Sequence, residues 1–286
     1  MTCYFLTTGF SANTQERAAQ LEAACQQRNI PCVVLESTTA DHLNLPFLLP
    51  GDVLYNVTRG GVRLEEYLWR PGIATFYTGP VPPHNIQDST RWLAAHTLAG
   101  LPQPRTIIHP TADRALLTRY VEHLGGFPLV LKVAGGTLGT GVMRVDSWPA
   151  LYSLTDFLVA QGTDFILRQY LESSAVGRLM VIGKRVVGAL SYTNPPDDFR
   201  TNAAAAPLSQ LTQFAPEVEA LAVAAVWSAG AEMGGVDILL DPQGRPYLLE
   251  INIPCGFATF PRLGIDVPGM LVDYLATKAE RLRRHD

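Results

Sequence analysis

The chain has 286 residues, 47% of them hydrophobic and 17% charged, which suffices for two or three small cores and excludes a disordered protein. Its formal net charge of −4 argues against nucleic acid as a partner. No apolar stretch is long enough to span a membrane, and the first residues lack a signal-peptide pattern. Because the four cysteines also form no CxxC pair, the sequence predicts a cytoplasmic protein with free thiols and no membrane partner.

The first 84 residues alternate predicted strands and helices. Strand candidates are "CYFLTTG", "CVVLE", "GDVLYN" and "IATFYT". The segment "NTQERAAQLEAACQQRN" has the pattern of an amphipathic helix, opened by a capping box of Asn13 and Glu16. The three prolines of "TGPVPPHN" mark the end of this part. The alternation predicts a small α/β layer domain over residues 1–84.

A glycine-rich loop lies in "FPLVLKVAGGTLGTGVMRV", between two apolar runs that are typical of strands. Gly135, Gly136, Gly139 and Gly141 indicate either a flexible hairpin or a loop whose N–H groups close over phosphates. Lys132 favours the second interpretation, because an ammonium group inside an apolar strand is costly unless an anion accompanies it.

A short polar motif, "DDFRTN", follows an antiparallel series of predicted strands, "FILRQYL", "RLMVIG" and "RVVGALSYT". If the motif is extended, the side chains of Arg200 and Asn202 point to one side and can reach one oxyanion. Taken alone, the motif is more typical of a surface loop.

Besides Asp241 beside the turn, two carboxylates occur inside the strands of the predicted hairpin "GGVDILLDPQGRPYLLEIN". A two-residue turn at Gln243 and Gly244 places Asp237 opposite Glu250, with Asn252 on the same face. Opposed carboxylates repel each other, so a cation is expected between them, and Mg²⁺ is the natural candidate for oxygen ligands. The alternative is a protonated or solvated carboxylate.

In this order and spacing, Lys132, the glycine-rich loop, "DFRTN" and the acidic hairpin resemble the ATP-grasp fold, in the branch of RimK-like glutamate ligases and glutathione synthetases. The resemblance extends from about Asp88 to the carboxyl-terminal helix. It implies an α/β amino-terminal domain followed by an α+β ATP-grasp fold whose two subdomains clamp ATP. The expected bounds are 1–84, 85–165 and 166–286.

The resemblance implies an ATP- and Mg²⁺-dependent ligase that joins a carboxylate to an amine through an acyl phosphate, with Mn²⁺ as an alternative metal. The substrates would be an amino acid, a small peptide or a peptide tail, and relatives often form homo-oligomers. A kinase that stops at phosphoryl transfer, and a non-catalytic module that binds nucleotide or peptide, stay open as alternatives.

Site residues follow from the same resemblance. Those expected to bind the nucleotide are Lys132, Gly135, Gly136, Thr137, Gly139, Gly141, Gln169, Tyr170 and Arg178. Those expected to hold the metal are Asp237, Glu250 and Asn252. Arg200 and Asn202 are expected to be catalytic, by stabilising charge on the transferring phosphoryl group. In "TRGGVR", Arg59 and Arg63 are candidates for recognising an acidic substrate.

Three positions depart from the family pattern. Ser89 stands where relatives usually carry a lysine, although Arg91 lies two residues on. Gln169 stands where relatives often have glutamate, and Val176 replaces an aspartate. We expect these changes to bear on how the nucleotide is bound. The basic and glycine-rich residues that follow the motif in the glutamate ligase are replaced by residues 203–207, which indicates a different substrate.

Overall fold

Three β-sheets organise the part of the chain that the computed structural model describes. The described residues are 1–9, 11–58, 60–79, 92–133, 139–193, 198–200 and 208–284. In these ranges, no helix is long and apolar enough to cross a membrane.

The amino-terminal sheet is parallel, with β1 between β2 and β3. Its strands are β1 (Cys3–Thr7), β2 (Cys32–Glu36) and β3 (Val53–Asn56), and its helices are α1 (Ala12–Gln27) and α2 (Val62–Leu68). This is the α/β layer that the alternating pattern predicts. The segment "IATFYT" does not form the expected strand: it makes isolated bridges, from Val53 to Ala74 and from Tyr77 to Ala231.

The start of α1 corrects the predicted capping box. The hydroxyl of Ser11 accepts a hydrogen bond from the backbone N–H of Thr14 at 3.2 Å, and Ser11 has the extended backbone of an N-cap residue. The helix therefore begins before Asn13. Glu16 instead accepts a hydrogen bond from Arg262 at 2.6 Å.

The second sheet has four antiparallel strands in the order β4, β7, β5, β6. Its elements are α3 (Trp92–Leu98), β4 (Thr106–Ile108), α4 (Arg114–Leu124), β5 (Leu129–Val133), β6 (Val142–Val145), α5 (Trp148–Ala160) and β7 (Phe165–Gln169), of which α3 packs on the next sheet. Alternate residues of β5, such as Leu129 and Leu131, are buried against α4 and α5. The expected boundary after residue 165 falls at the first residue of β7, which pairs with β4 and β5.

The third sheet has five antiparallel strands in the order β10, β9, β8, β11, β12. Its elements are β8 (Ala175–Ile182), β9 (Arg185–Thr193), β10 (Leu208–Leu211), α6 (Pro216–Ser228), β11 (Met233–Leu240) and β12 (Pro246–Asn252), followed by α7 (Thr259–Arg262) and α8 (Val267–Arg283). Helix α6 covers one face. Helix α8 returns to α1, so residues of both ends of the chain share one core.

Candidate active site

The acidic hairpin is formed by β11 and β12. Asp237 lies directly opposite Glu250, which confirms the predicted pairing of these two residues. The amide nitrogen of Asn252 lies 3.2 Å from Glu250 Oε1 and 3.5 Å from Asp237 Oδ2. The three side chains therefore meet on one face of the sheet.

The turn differs from the prediction. The backbone N–H of Asp241 donates to Arg245 O, so the loop has three residues rather than two, and Gly244 closes it with a positive φ of 78°. A bulge in β12 compensates: Ile238 pairs with Leu248, whereas Asp237 pairs with Glu250. The longer turn and the bulge cancel, so Asp237 and Glu250 face each other as predicted, although the pairs between the turn and the bulge are shifted by one residue.

Each carboxylate of the hairpin has a cationic partner. Arg178, opposite Asp237 on β8, binds both of its carboxylate oxygens at 2.7 Å. Lys132 Nζ, on β5 of the second sheet, lies 2.7 Å from Glu250 Oε2. The two cations balance the two charges, which is how the ladder tolerates facing carboxylates.

Burial raises the pKa of Asp237, although Arg178 opposes the shift. Burial also raises the pKa of Glu250, but the charge of Lys132 and its hydrogen bond, followed by Arg178 and Asn252, outweigh it and bring that pKa to about 2. Glu250 is therefore ionised at neutral pH, as a metal ligand must be.

The donor set fits a hard cation. The two carboxylates supply oxygen ligands, and rotation of the Asn252 amide, which turns its nitrogen to them in this structure, would add a third; oxygen ligands suit Mg²⁺, an ion that keeps part of its water shell. Across the described ranges, no group of three or more His, Cys, Asp and Glu side chains is arranged to hold a metal. A site for Mg²⁺ would thus consist of Asp237, Glu250 and Asn252, with water and phosphate completing the shell.

A cleft of about 140 Å³ opens between the second and third sheets. Its lining includes Lys132, Arg168, Gln169, Tyr170, Arg200 and Glu250. Tyr170 is packed between Phe199, with ring centroids 6.4 Å apart, and Arg144, whose guanidinium lies 5.0 Å from the ring centroid. The predicted nucleotide-binding side chains that the structure describes, other than Arg178, thus gather at this cleft or at the loop beside it.

Arg200 links the polar motif to the end of the glycine-rich loop. Its Nη1 lies 3.4 Å from Gly139 O, and Asp198 binds the rest of its guanidinium, with Nη2 to Oδ2 at 2.7 Å. Gly139 and Gly141 have positive φ, and a Cβ on Gly141 would lie 3.2 Å from the Val133 Cβ. Arg200 and the end of the loop therefore converge at the mouth of the cleft, while the shared orientation of Arg200 and Asn202 stays a prediction.

A second cavity, of about 270 Å³, lies at the carboxyl-terminal end of the hairpin, beside Asn252. Its lining includes Asn13, Arg17, Thr58, Arg178, Asn252 and Cys255. Arg17 makes three long contacts, each 3.4 Å, to Asn13 O, Thr14 Oγ1 and Cys255 O. In the described ranges, no carboxylate forms an ion pair with it.

The remaining predicted site residues fall elsewhere. Arg178 lines the second cavity, not the cleft that holds the other nucleotide residues. Arg63 is exposed on α2 and lines neither cavity. Outside the described residues lie Arg59, Ser89, Arg91, Gly135, Gly136, Thr137, Asn202 and residues 203–207.

Two arginines at the site were missed by sequence reasoning. Arg17 stands on α1, and only the packing of the amino-terminal part against the hairpin brings it to the second cavity. Arg168 stands one residue before Gln169 on β7 and pairs with Val130 of β5. Its position as a cation inside an apolar strand is the same signal that singled out Lys132.

The sequence profile of the RimK-like ATP-grasp domain matches residues 87–275. The probable alpha-L-glutamate ligase 2 of Hahella chejuensis is 30% identical over 196 residues, which are 66% of this chain and 64% of that protein. The chain thus matches slightly less than two thirds of the length of this relative.

Solved structures show the same fold at low identity. The ATP-grasp ligase PsnB, in complex with a phosphomimetic variant of minimal precursor, Mg and ADP, superimposes with a TM-score of 0.74 at 19% identity, covering 97% of this chain and 98% of PsnB. D-alanine–D-alanine ligase from Bacillus anthracis gives 0.72 at 16% identity, covering 100% and 99%.

Proposed function

Because the chain belongs to the RimK-like ATP-grasp family, we propose that it uses ATP and Mg²⁺ to join a carboxylate to an amine through an acyl phosphate. The observation that carries the proposal is the position of the acidic hairpin between two cavities. Asp237 and Glu250 line the cleft between the sheets, and Asn252, beside them, lines the second cavity. A phosphoryl group held at the hairpin would be within reach of ligands in both.

The nucleotide would lie in the cleft between the second and third sheets. The ammonium group of Lys132 would leave Glu250 and bind phosphate oxygens instead, since it can pair with either anion. This exchange leaves the hairpin with an uncompensated negative charge, which suits a divalent cation. Asp237, Glu250 and Asn252 would hold Mg²⁺, whose charge would offset that of the phosphate oxygens when it is bound. Arg200, at the mouth of the cleft, would stabilise charge on the transferring group.

The carboxylate substrate would lie in the second cavity. Arg17 supplies a guanidinium that no described carboxylate neutralises, and a carboxylate is the anion that its planar fork matches. Arg178 stays bound to Asp237 and fixes the wall of that cavity. Catalysis would then rest on positioning and charge stabilisation, with the glycine-rich loop keeping water from the acyl phosphate.

The substrate would be an amino acid, a small peptide or a peptide tail. The relatives' name points to glutamate, but residues 203–207 depart from the basic and glycine-rich sequence of the glutamate ligase, so the acceptor would differ. The reaction consumes ATP and fits the cytoplasmic location expected from the sequence.

The test is ADP release with MgATP against the common amino acids and short peptides, each reaction followed by mass spectrometry. We expect ADP with an amide product of matching new mass. A phosphorylated product without an amide would identify a kinase. ATP binding with no ADP from any substrate pool would favour a non-catalytic module, and failure of the chain to bind ATP at all would overturn the proposal.

A further inference from the structure

Arg168 is a third cation of the cleft between the sheets. It lies opposite Val130 in the pairing of β5 with β7, and Lys132 is two residues from Val130. Side chains alternate along a strand, so Arg168 and Lys132 share the face that looks onto the hairpin and are diagonal neighbours on it. Both line the cleft.

The contacts of Arg168 leave its charge uncompensated. Nε donates to Thr106 Oγ1 at 3.1 Å, and Nη1 donates to Leu249 O at 2.9 Å. Both acceptors are neutral, and across the described ranges no carboxylate forms an ion pair with Arg168. Burial lowers the pKa of its guanidinium to about 10, against the opposing charge of Glu250. A cation held this way is costly unless an anion joins it.

We propose that Arg168 binds the phosphate chain of the nucleotide directly, as a cation of the cleft additional to Lys132. The inference rests on the proposed function, which supplies the anion. A guanidinium has five N–H donors, and the two bonds to Thr106 and Leu249 leave others to face the cleft. Those two bonds fix its plane, so it meets the phosphate already oriented.

This residue also bears on the lysine that the family carries at the position of Ser89. A phosphate site with one cation fewer is weakened, and the guanidinium of Arg168 would supply positive charge in its place. Arg168 directly precedes Gln169, in a segment where relatives often show Gln-Glu-Tyr, so its charge would make up for the lysine that is absent at Ser89.

The experiment is calorimetric titration of ATP at saturating Mg²⁺ into the wild type, Arg168→Gln, Arg168→Lys and Arg119→Gln. Arg119 is exposed on α4 and serves as the control for loss of an arginine. We expect Arg168→Gln to raise the Kd for ATP at least about tenfold, as for loss of a charge-assisted hydrogen bond. Arg168→Lys should recover most of the affinity, and Arg119→Gln should match the wild type.

A competing role for Arg168 is to hold the β12 bulge through Leu249 O, without touching the nucleotide. In that case Arg168→Gln would raise the Mg²⁺ concentration at half-maximal binding and leave the ATP affinity at saturating Mg²⁺ unchanged. Arg168→Lys would not restore the Mg²⁺ concentration that the wild type needs. That result overturns the inference and leaves the proposed function intact. Failure of the wild type to bind ATP would instead count against the proposed function itself.

Discussion

The two carboxylates of the acidic hairpin are held in different ways at the same distance. Asp237 is bound by Arg178 from the neighbouring strand of its own sheet, through two hydrogen bonds of 2.7 Å. Glu250 is bound by Lys132 from another sheet, through one contact of 2.7 Å. The first pair joins residues that face each other on neighbouring strands, so the pairing of the strands keeps the two side chains together. The second pair joins two sheets across a cleft, so Lys132 can leave Glu250 and bind phosphate instead.

Replacing Glu250 with glutamine should have the largest effect on activity. The change removes a metal-ligand charge while preserving volume, so we expect ADP release to fall by roughly 10²- to 10³-fold or more while the melting temperature changes little. ADP release and thermal unfolding check the two parts. Glu280→Gln, an exposed change on α8, is the control. Loss of folding would assign Glu250 a structural role instead.

Replacing Arg178 with methionine should have the largest effect on stability. Asp237 has a side chain only 9% exposed, and its charge would be left without a partner, so we expect a loss of about 3 kcal/mol in the free energy of unfolding. Urea unfolding measures it. Arg114→Met breaks an exposed ion pair with Asp156 and should cost less than about 1 kcal/mol. Equal losses would mean that Asp237 does not depend on its guanidinium.

Replacing Lys132 with methionine should separate the two pairs. The Lys132 and Glu250 side chains are 20% and 17% exposed, so water takes over part of the solvation and we expect a stability loss of about 1 kcal/mol. Affinity for ATP should fall more clearly, because Lys132 turns to phosphate when the nucleotide binds. Urea unfolding and calorimetry give the two numbers. A large stability loss with unchanged affinity would contradict the exchange.

A third buried carboxylate, Glu65 on α2, shows what happens without a cation. In the described ranges it forms no ion pair; Asn56 donates to it at 2.9 Å, and burial raises its pKa to about 7. Since the folded pKa exceeds the ordinary value of 4.5, its contribution to stability is present below pH 4.5 and is lost as the pH rises through 7. Urea unfolding of Glu65→Gln between pH 5 and pH 8, in steps of about one unit, should show a weaker decline than the wild type. Parallel pH profiles would exclude this role.

The parts of the site that follow from short sequence distances were predictable. The hairpin register depends on residues 15 apart or fewer, and period-two alternation was enough to place Asp237, Glu250 and Asn252 together. The turn and the bulge were missed because each shifts the strand pairing by one residue, in opposite directions. Asp237 therefore pairs with Glu250 whether both irregularities are present or absent. The cap of α1 was missed because Ser11 lies just before the segment that carries the helical pattern.

The contacts between distant segments could not be read from local pattern. Arg178 meets Asp237 only because β8 lies beside β11, and Arg17 reaches the second cavity only through the packing of the amino-terminal part. Hydrophobic periodicity shows which face of a strand is buried but not which strand will be its neighbour. The role of Arg178 was therefore assigned by family position, whereas the structure pairs it with a carboxylate.

The bulge at Leu249 has a consequence for how homologous sequences can vary. Between the turn and the bulge, β12 is paired one residue out of step with the end of the strand. A sequence with one residue fewer in the turn could form the hairpin without the bulge and still place Asp237 opposite Glu250. Loss of a single residue in this turn is therefore compatible with the geometry of the acids, and an alignment of this region should admit a one-residue gap without implying loss of the site.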